Sequence, residues 1–494
     1  MMLQQVKYIL VGALLLGAGP VGSQEKTARR PNVLLICIDD LLPALGCYGD
    51  ATAISPHIDG LASQAALFTN HYVTVPTCGA SRYSLLRSSL PRTKGELGNE
   101  IANRFSNPDL PPVTGPETFI EQFRNDGYYT VGIGKISHSV DGYIYPYSTP
   151  KSNRRELPRS WDEMLFDAGK WGQGWDAFFA YADGGSRTTR NKEVLPYEAA
   201  EVDDNGYPDG LTAALAVRKL EELAHGDRPF FLGVGFFKPH LPFNAPKKYW
   251  DLYQEDGLPL TPVPDIPHDV NRASLHNSAE FNQYKLGPEK ASLNKPLSDA
   301  YARKLIHGYY ACVSYIDAQV GKVLQALKAT GLDRNTIVVL WSDHGWHLGD
   351  YNVWGKHTLF GRSLRSVLMV KTPTMVKGTQ IKRVVSSIDI APTLLDLCDV
   401  PAMPDANGRS MVGLLHNQRD RRWEDVAYGY FRNGITMVTP RYRLTKYFRA
   451  EQPVVELYDH RKDPLETRNV AGQRAAVIGK LNPLWEQGNT GLYK

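Results

Sequence analysis

Asn32-Val-Leu-Leu-Ile-Cys-Ile38, closed at once by Asp39-Asp40, is the stretch on which the fold turns. After its first residue the run is continuously apolar, the pattern of a strand buried on both faces of a parallel sheet. It then stops on two carboxylates. Three further runs share the design. Tyr128–Gly134 (YYTVGIG) ends in Lys135, with His138 close behind. Pro229–Phe237 (PFFLGVGFF) ends in Lys238-Pro239-His240, and Thr336–Trp341 (TIVVLW) in Ser342-Asp343-His344-Gly345. Helical patterns lie between them, for example Leu211–Leu223 and Leu305–Ala329. Strands alternating with helices predict an α/β fold with a large, mostly parallel sheet sandwiched by helices. In such sheets ligands bind beyond the carboxyl ends of the strands, so four polar strand ends should converge on one site.

A chain of 494 residues exceeds what one core usually holds, which predicts a large domain and a smaller one. Residues 1–23 read as a signal peptide: Lys7, an apolar run Tyr8–Leu16, then small residues Val21-Gly22-Ser23. The run is too short to span a bilayer and no cysteine closes it, so neither membrane insertion nor a lipid anchor is expected. The protein should be exported, periplasmic or secreted, and the absence of any Asn-x-Ser/Thr favours a bacterial source. The catalytic α/β domain is expected over 24–420 and a C-terminal α+β domain over 421–494. The latter should hold antiparallel strands near Val426–Tyr430, Ile435–Val438, Tyr442–Phe448 and Val455–Tyr458, then a helix over Gln473–Trp485. Leu258–Pro296, rich in Pro, Asn and Asp, reads as a long surface excursion framing a substrate entrance. The net charge of +4 is spread along the chain and makes no case for nucleic acid. Nothing in the sequence bears on oligomeric state.

Asp39, Asp40 and Asp343 are hard oxygen ligands suited to Ca²⁺, less to Mg²⁺, with His344 completing the shell. A helix cap is the plainer reading of Asp39-Asp40. Zinc is an alternative, held by Asp343, His344 and His347. Lys135 and Lys356 can neutralise an anionic ester, and His240 and His138 can move the protons of two half-reactions. Cys78-Gly79-Ala80-Ser81-Arg82 places an arginine one helical turn after a cysteine. Of five cysteines, the four besides Cys78 show no disulfide or zinc-knuckle spacing.

With these residues assembled, the chain resembles the type I sulfatases of the alkaline phosphatase superfamily, and most closely the iduronate-2-sulfatase branch. PNVLLICIDD, CGASR, GIGKISH, FFKPHLPF and WSDHGWHLGDYNVWGKHTLF carry the resemblance from about Pro31 onward, and LYDHRKDPLETRNVA resembles the tail of the family's small domain. The resemblance implies that Cys78 is converted to formylglycine (3-oxoalanine) by a maturation enzyme. It implies metal ligation by Asp39, Asp40, Asp343, His344 and the modified Cys78. It further implies activation by Arg82, Lys135 and His138, with sulfate contact and leaving-group protonation by Lys356 and His240. The substrate would be a sulfated saccharide, a uronate 2-O-sulfate of a glycosaminoglycan or algal polysaccharide. Two departures stand out. Ala80 replaces a common Pro, and Tyr83–Ser89 replaces the Leu-Thr-Gly-Arg run that the maturation machinery reads. A phosphoester or phosphonate hydrolase of the same superfamily is the alternative, and a catalytically dead glycan-binding module the third reading. Trp171, Trp175, Trp346 and Trp354 are candidate sugar-stacking walls.

Overall fold

The computed structural model describes residues 30–102 and 115–493; the signal-peptide reading lies outside them. Eight strands build the main sheet: β1 (Asn32–Asp39), β2 (Ala66–Tyr72), β3 (Tyr129–Gly134), β4 (Glu163–Leu165), β5 (Phe230–Pro239), β6 (Thr336–Ser342), β7 (Leu368–Lys371) and β8 (Thr379–Ser386). Their order is β8–β2–β7–β6–β1–β5–β3–β4. Only β7 runs antiparallel to its neighbours; every other pairing is parallel. The expected mostly parallel sheet is therefore present, and β1, the most apolar run, lies near its middle.

All eight residues of β1 are buried because helices cover both faces. Leu34, Ile36 and Ile38 pack with helices Pro56–Ala62, Pro208–Leu223 and Asp299–Ala329. Val33, Leu35 and Cys37 pack with helices Cys78–Arg87, Phe119–Asn125 and Ile390–Leu397. Each such Leu, Ile or Val contributes about 1.5–3 kcal/mol when removed from water. The long helix starts six residues before its apolar pattern does. Ser298 caps it by accepting the Tyr301 N–H, and Asp299 sits favourably in the first turn.

Strands β9 (Ala427–Phe431), β10 (Gly434–Val438), β11 (Tyr442–Tyr447) and β12 (Val454–Asp459) form the smaller antiparallel sheet, in that order. Trp485 of the terminal helix Ala475–Gln487 packs on it. Glu466 knits this sheet to the main domain. Its Oε1 accepts from Arg443 Nε on β11 (2.7 Å) and lies 2.8 Å from His460 Nε2. Its Oε2 accepts the N–H of Gly361 (2.8 Å). Burial alone would raise the Glu466 carboxyl, but Arg443 and His460 outweigh it and hold it at about 2.

A group whose folded value is depressed stabilises above its ordinary value of 4.5 and loses that contribution as pH falls through about 2. Glu466→Gln should therefore cost about 3–5 kcal/mol at neutral pH by leaving Arg443 buried beside a neutral partner. The deficit should shrink in acid, where the wild-type carboxyl also protonates. Denaturant melts at both pH values check this; equal midpoints at neutral pH would contradict it.

Candidate active site

The carboxyl ends of β1, β3, β5 and β6 deliver their polar residues to one buried cluster. The strand-end aspartates cap no helix. Asp40 adopts a left-handed turn (φ 60°), and its N–H donates to Asp343 Oδ1 (3.0 Å). That turn separates two carboxylates that would otherwise repel. Asp39 pairs with Lys135 and lies 3.5 Å from Arg82 Nη2, whereas Asp40 accepts from Lys356 Nζ at 3.0 and 3.1 Å. Burial raises both carboxyls. In Asp39 the two cations win and hold it well below the usual range; in Asp40 burial wins over Lys356 and His344 and pushes it well above.

Cys78 is the first residue of helix Cys78–Arg87 and is 3% exposed. Its Sγ lies 3.3 Å from both Lys356 Nζ and His344 Nε2. Burial, then Asp39, pushes the thiol up to about 12 despite Lys356 and Lys135, so it is un-ionised near neutrality. Gly79 follows because a Cβ there would lie 2.8 Å from Asn99 Cα. Arg82 is fully buried rather than solvated: Nε donates to Asp343 Oδ2 (2.9 Å) and Nη1 to the carbonyls of Lys135 and Ile136. It thus clamps strand ends together.

His240 Nδ1 donates to the Leu241 carbonyl (2.6 Å), which places a proton on Nδ1. Nε2 is left facing Glu280 Oε1 (3.0 Å) and Asp40 Oδ2 (3.8 Å). Burial and then Lys356 lower the imidazole to about 4, with Glu280 pulling the other way. Lys238 braces this turn, donating to the carbonyls of His240 and Pro242. His138 sits at the rim, its Nε2 3.4 Å from the Tyr147 hydroxyl and its ring 5.3 Å from Trp175. It opens on a cleft of about 490 Å³ lined by Asn99, Tyr143, Tyr147, Arg154 and Trp175 among others.

Among the described residues, Asp39, Cys78, Asp343 and His344 each offer a donor atom within 4.8 Å of the others. Asp39 Oδ1 is buried without a hydrogen-bond partner. Clustered hard carboxylates with an orphaned oxygen fit a divalent cation of the Ca²⁺ or Mg²⁺ kind. His347 is not part of this cluster among the described residues; its Nε2 lies 2.9 Å from Thr358 Oγ1. Trp171, Trp346 and Trp354 are buried in the packing, and of the four candidate tryptophans Trp175 is the one that lines the cleft. Glu280 was not singled out from sequence, since it lies in the aperiodic Leu258–Pro296 segment.

Residues 31–400 match the family model described as Sulfatase, and residues 349–484 the one described as N-sulphoglucosamine sulphohydrolase, C-terminal. The chain belongs to the sulfatase family. As a member of that family it is a sulfuric ester hydrolase. It is 28% identical to a sulfatase of Formosa agariphila, over 94% of this chain and 89% of that protein. It is 31% identical to the iduronate 2-sulfatase of Mus musculus, over 74% of this chain and 63% of that protein. Solved structures sharing the fold include a phosphonate monoester hydrolase from Silicibacter pomeroyi (TM-score 0.71, 22% identity, 93% and 94% of the two chains). A 2-O GAG sulfatase also shares it (TM-score 0.66, 21% identity, 93% and 92% covered). Among the described residues no helix is long and apolar enough to cross a membrane.

Cation binding should be visible without any assay of turnover. Chelator-stripped protein should gain about 2.7 kcal/mol of stability when Ca²⁺ reaches a hundred times its dissociation constant. Asp343→Asn should lose most of that shift. A melting curve indifferent to Ca²⁺ and Mg²⁺ would contradict the cation site.

Proposed function

We propose that the chain cleaves a sulfate ester of a carbohydrate, a uronic acid 2-O-sulfate of a glycosaminoglycan or algal polysaccharide, through Cys78 converted to formylglycine. The observation that carries this reading is the setting of Cys78. Three aspartates and three cations surround a thiol that is un-ionised and a poor nucleophile as it stands. Such a setting fits a side chain that is replaced before it works. A hydrated aldehyde there supplies one hydroxyl to attack sulfur and a second to expel the bound sulfate. Because the whole first turn of the helix is buried, the maturation enzyme must act on the chain before it folds.

The remaining roles follow from position. Asp39, Asp40, Asp343 and His344, with the modified Cys78, would hold Ca²⁺, which would supply positive charge to offset that of the ester. Arg82 and Lys135 fix the carboxylates, and Lys356 faces the ester's charge. His240 Nε2 gives the leaving oxygen its proton; the negative charge of a bound ester favours the protonated ring, as Glu280 does. His138, at the cleft, serves the second half-reaction. The uronate substrate is supported by the iduronate 2-sulfatases among the relatives. Export, and the division at about residue 420, belong to the same reading. The phosphonate hydrolase of like fold keeps a second reading open to test.

Cys78→Ala should abolish turnover with an unchanged melting curve; full activity would contradict the covalent route. His240→Ala should lower kcat about 10²–10⁴-fold on a sugar sulfate, and less on 4-nitrophenyl sulfate, whose leaving group needs little protonation. A kcat/KM that favours aryl phosphonates over aryl sulfates would move the phosphonate reading to first place.

A further inference from the structure

Glu280 is the one acidic side chain in the cluster that comes from neither a strand end nor the nucleophile helix. Its Oε1 lies 3.0 Å from His240 Nε2 and 3.3 Å from Lys356 Nζ. Its Oε2 is buried without a hydrogen-bond partner, while the side chain as a whole is 19% exposed. The loop that carries it is built in. Ser278 Oγ accepts the Trp354 N–H (2.9 Å), and the Asn282 amide spans to the Asn277 and Ala291 carbonyls. His276 Nδ1 accepts the Ser278 N–H (3.0 Å), so its Nε2 donates to the Lys356 carbonyl. Glu280 and Lys356 are therefore held as one unit.

Resting on the sulfatase reading above, the geometry points to Glu280 as a specificity-determining residue that accepts a hydrogen bond from a hydroxyl on the carbon next to the sulfated one. The leaving oxygen must come within roughly 2.6–3.2 Å of His240 Nε2 to take its proton. Glu280 Oε1 already lies at 3.0 Å from the same nitrogen. A substituent one carbon away from the leaving oxygen thus falls beside this carboxylate. An ionised carboxylate only accepts, so the neighbour must donate: a hydroxyl or an ammonium fits. A vicinal sulfate would bring a like charge against a largely desolvated carboxylate, which the site penalises. A vicinally disulfated sugar would then need its neighbouring sulfate removed first by a different sulfuric ester hydrolase.

Three probes test this: a methyl uronoside sulfate with a free vicinal hydroxyl, its deoxy analogue and its vicinal disulfate. Wild type should favour the first over the deoxy analogue about 10- to 100-fold in kcat/KM, the worth of a hydrogen bond to a charged group, and should leave the disulfate untouched. Glu280→Gln, whatever its effect on absolute rates, should collapse the discrimination against the disulfate, because the amide carries no charge. Glu280→Ala should also collapse the preference for the hydroxyl. Equal wild-type rates on all three probes would overturn the proposal. So would variants that slow every probe by one common factor, since that marks action through His240 alone. Failure of the underlying reading looks different: wild type would then turn over neither these esters nor 4-nitrophenyl sulfate.

Discussion

The buried guanidinium of Arg82 holds the site together. It reaches from the helix of Cys78 to Asp343 at the end of β6, to the end of β1 through Asp39, and to the carbonyls of Lys135 and Ile136 beyond β3. A planar fork of donors can serve three chain segments at once, which a lysine ammonium could not do with the same geometry. Taking this charge out of water is costly unless each partner is present. The placement of Cys78, the strand-end carboxylates and the strand register are therefore mutually dependent.

Charge balance governs the rest. Asp39, Asp40, Asp343 and the half-buried Glu280 face the buried Arg82, Lys135 and Lys356. Four acids against three fixed cations leave room for a divalent ion, consistent with the orphaned oxygen of Asp39. Burial, helped by Asp39, keeps the Cys78 thiol protonated. What would be a defect in a cysteine enzyme is harmless where the sulfur is exchanged for oxygen before the protein works. The cleft beside His138 is walled by Tyr147 and Trp175, whose rings meet edge-on.

Much of this was legible in the sequence because the physics is local there. An apolar run that ends abruptly in Asp39-Asp40, or in Asp343-His344, announces both a doubly covered strand and the polar group at its carboxyl end. Lys135, His240 and Lys356 were readable for the same reason or through the family resemblance. Glu280 was not: it sits in a segment without periodicity, and only the tertiary pins at Ser278 and His276 bring it to His240. Sequence spacing also suggested His347 as a ligand, yet its Nε2 lies against Thr358 Oγ1. Arg82 was readable through the family resemblance as a partner of the modified Cys78, but not its commitment to protein carboxylates and carbonyls, which comes from burial. Tryptophans mislead similarly, because a large apolar ring fits a core as readily as a sugar face.

Mass spectrometry of the tryptic peptide containing Cys78, from active protein made in its native host, tests the nature of the nucleophile most directly. A peptide lighter by about 18 Da than the cysteine form, sulfur exchanged for oxygen with loss of two hydrogens, is the expected result. An intact thiol in fully active protein would contradict it.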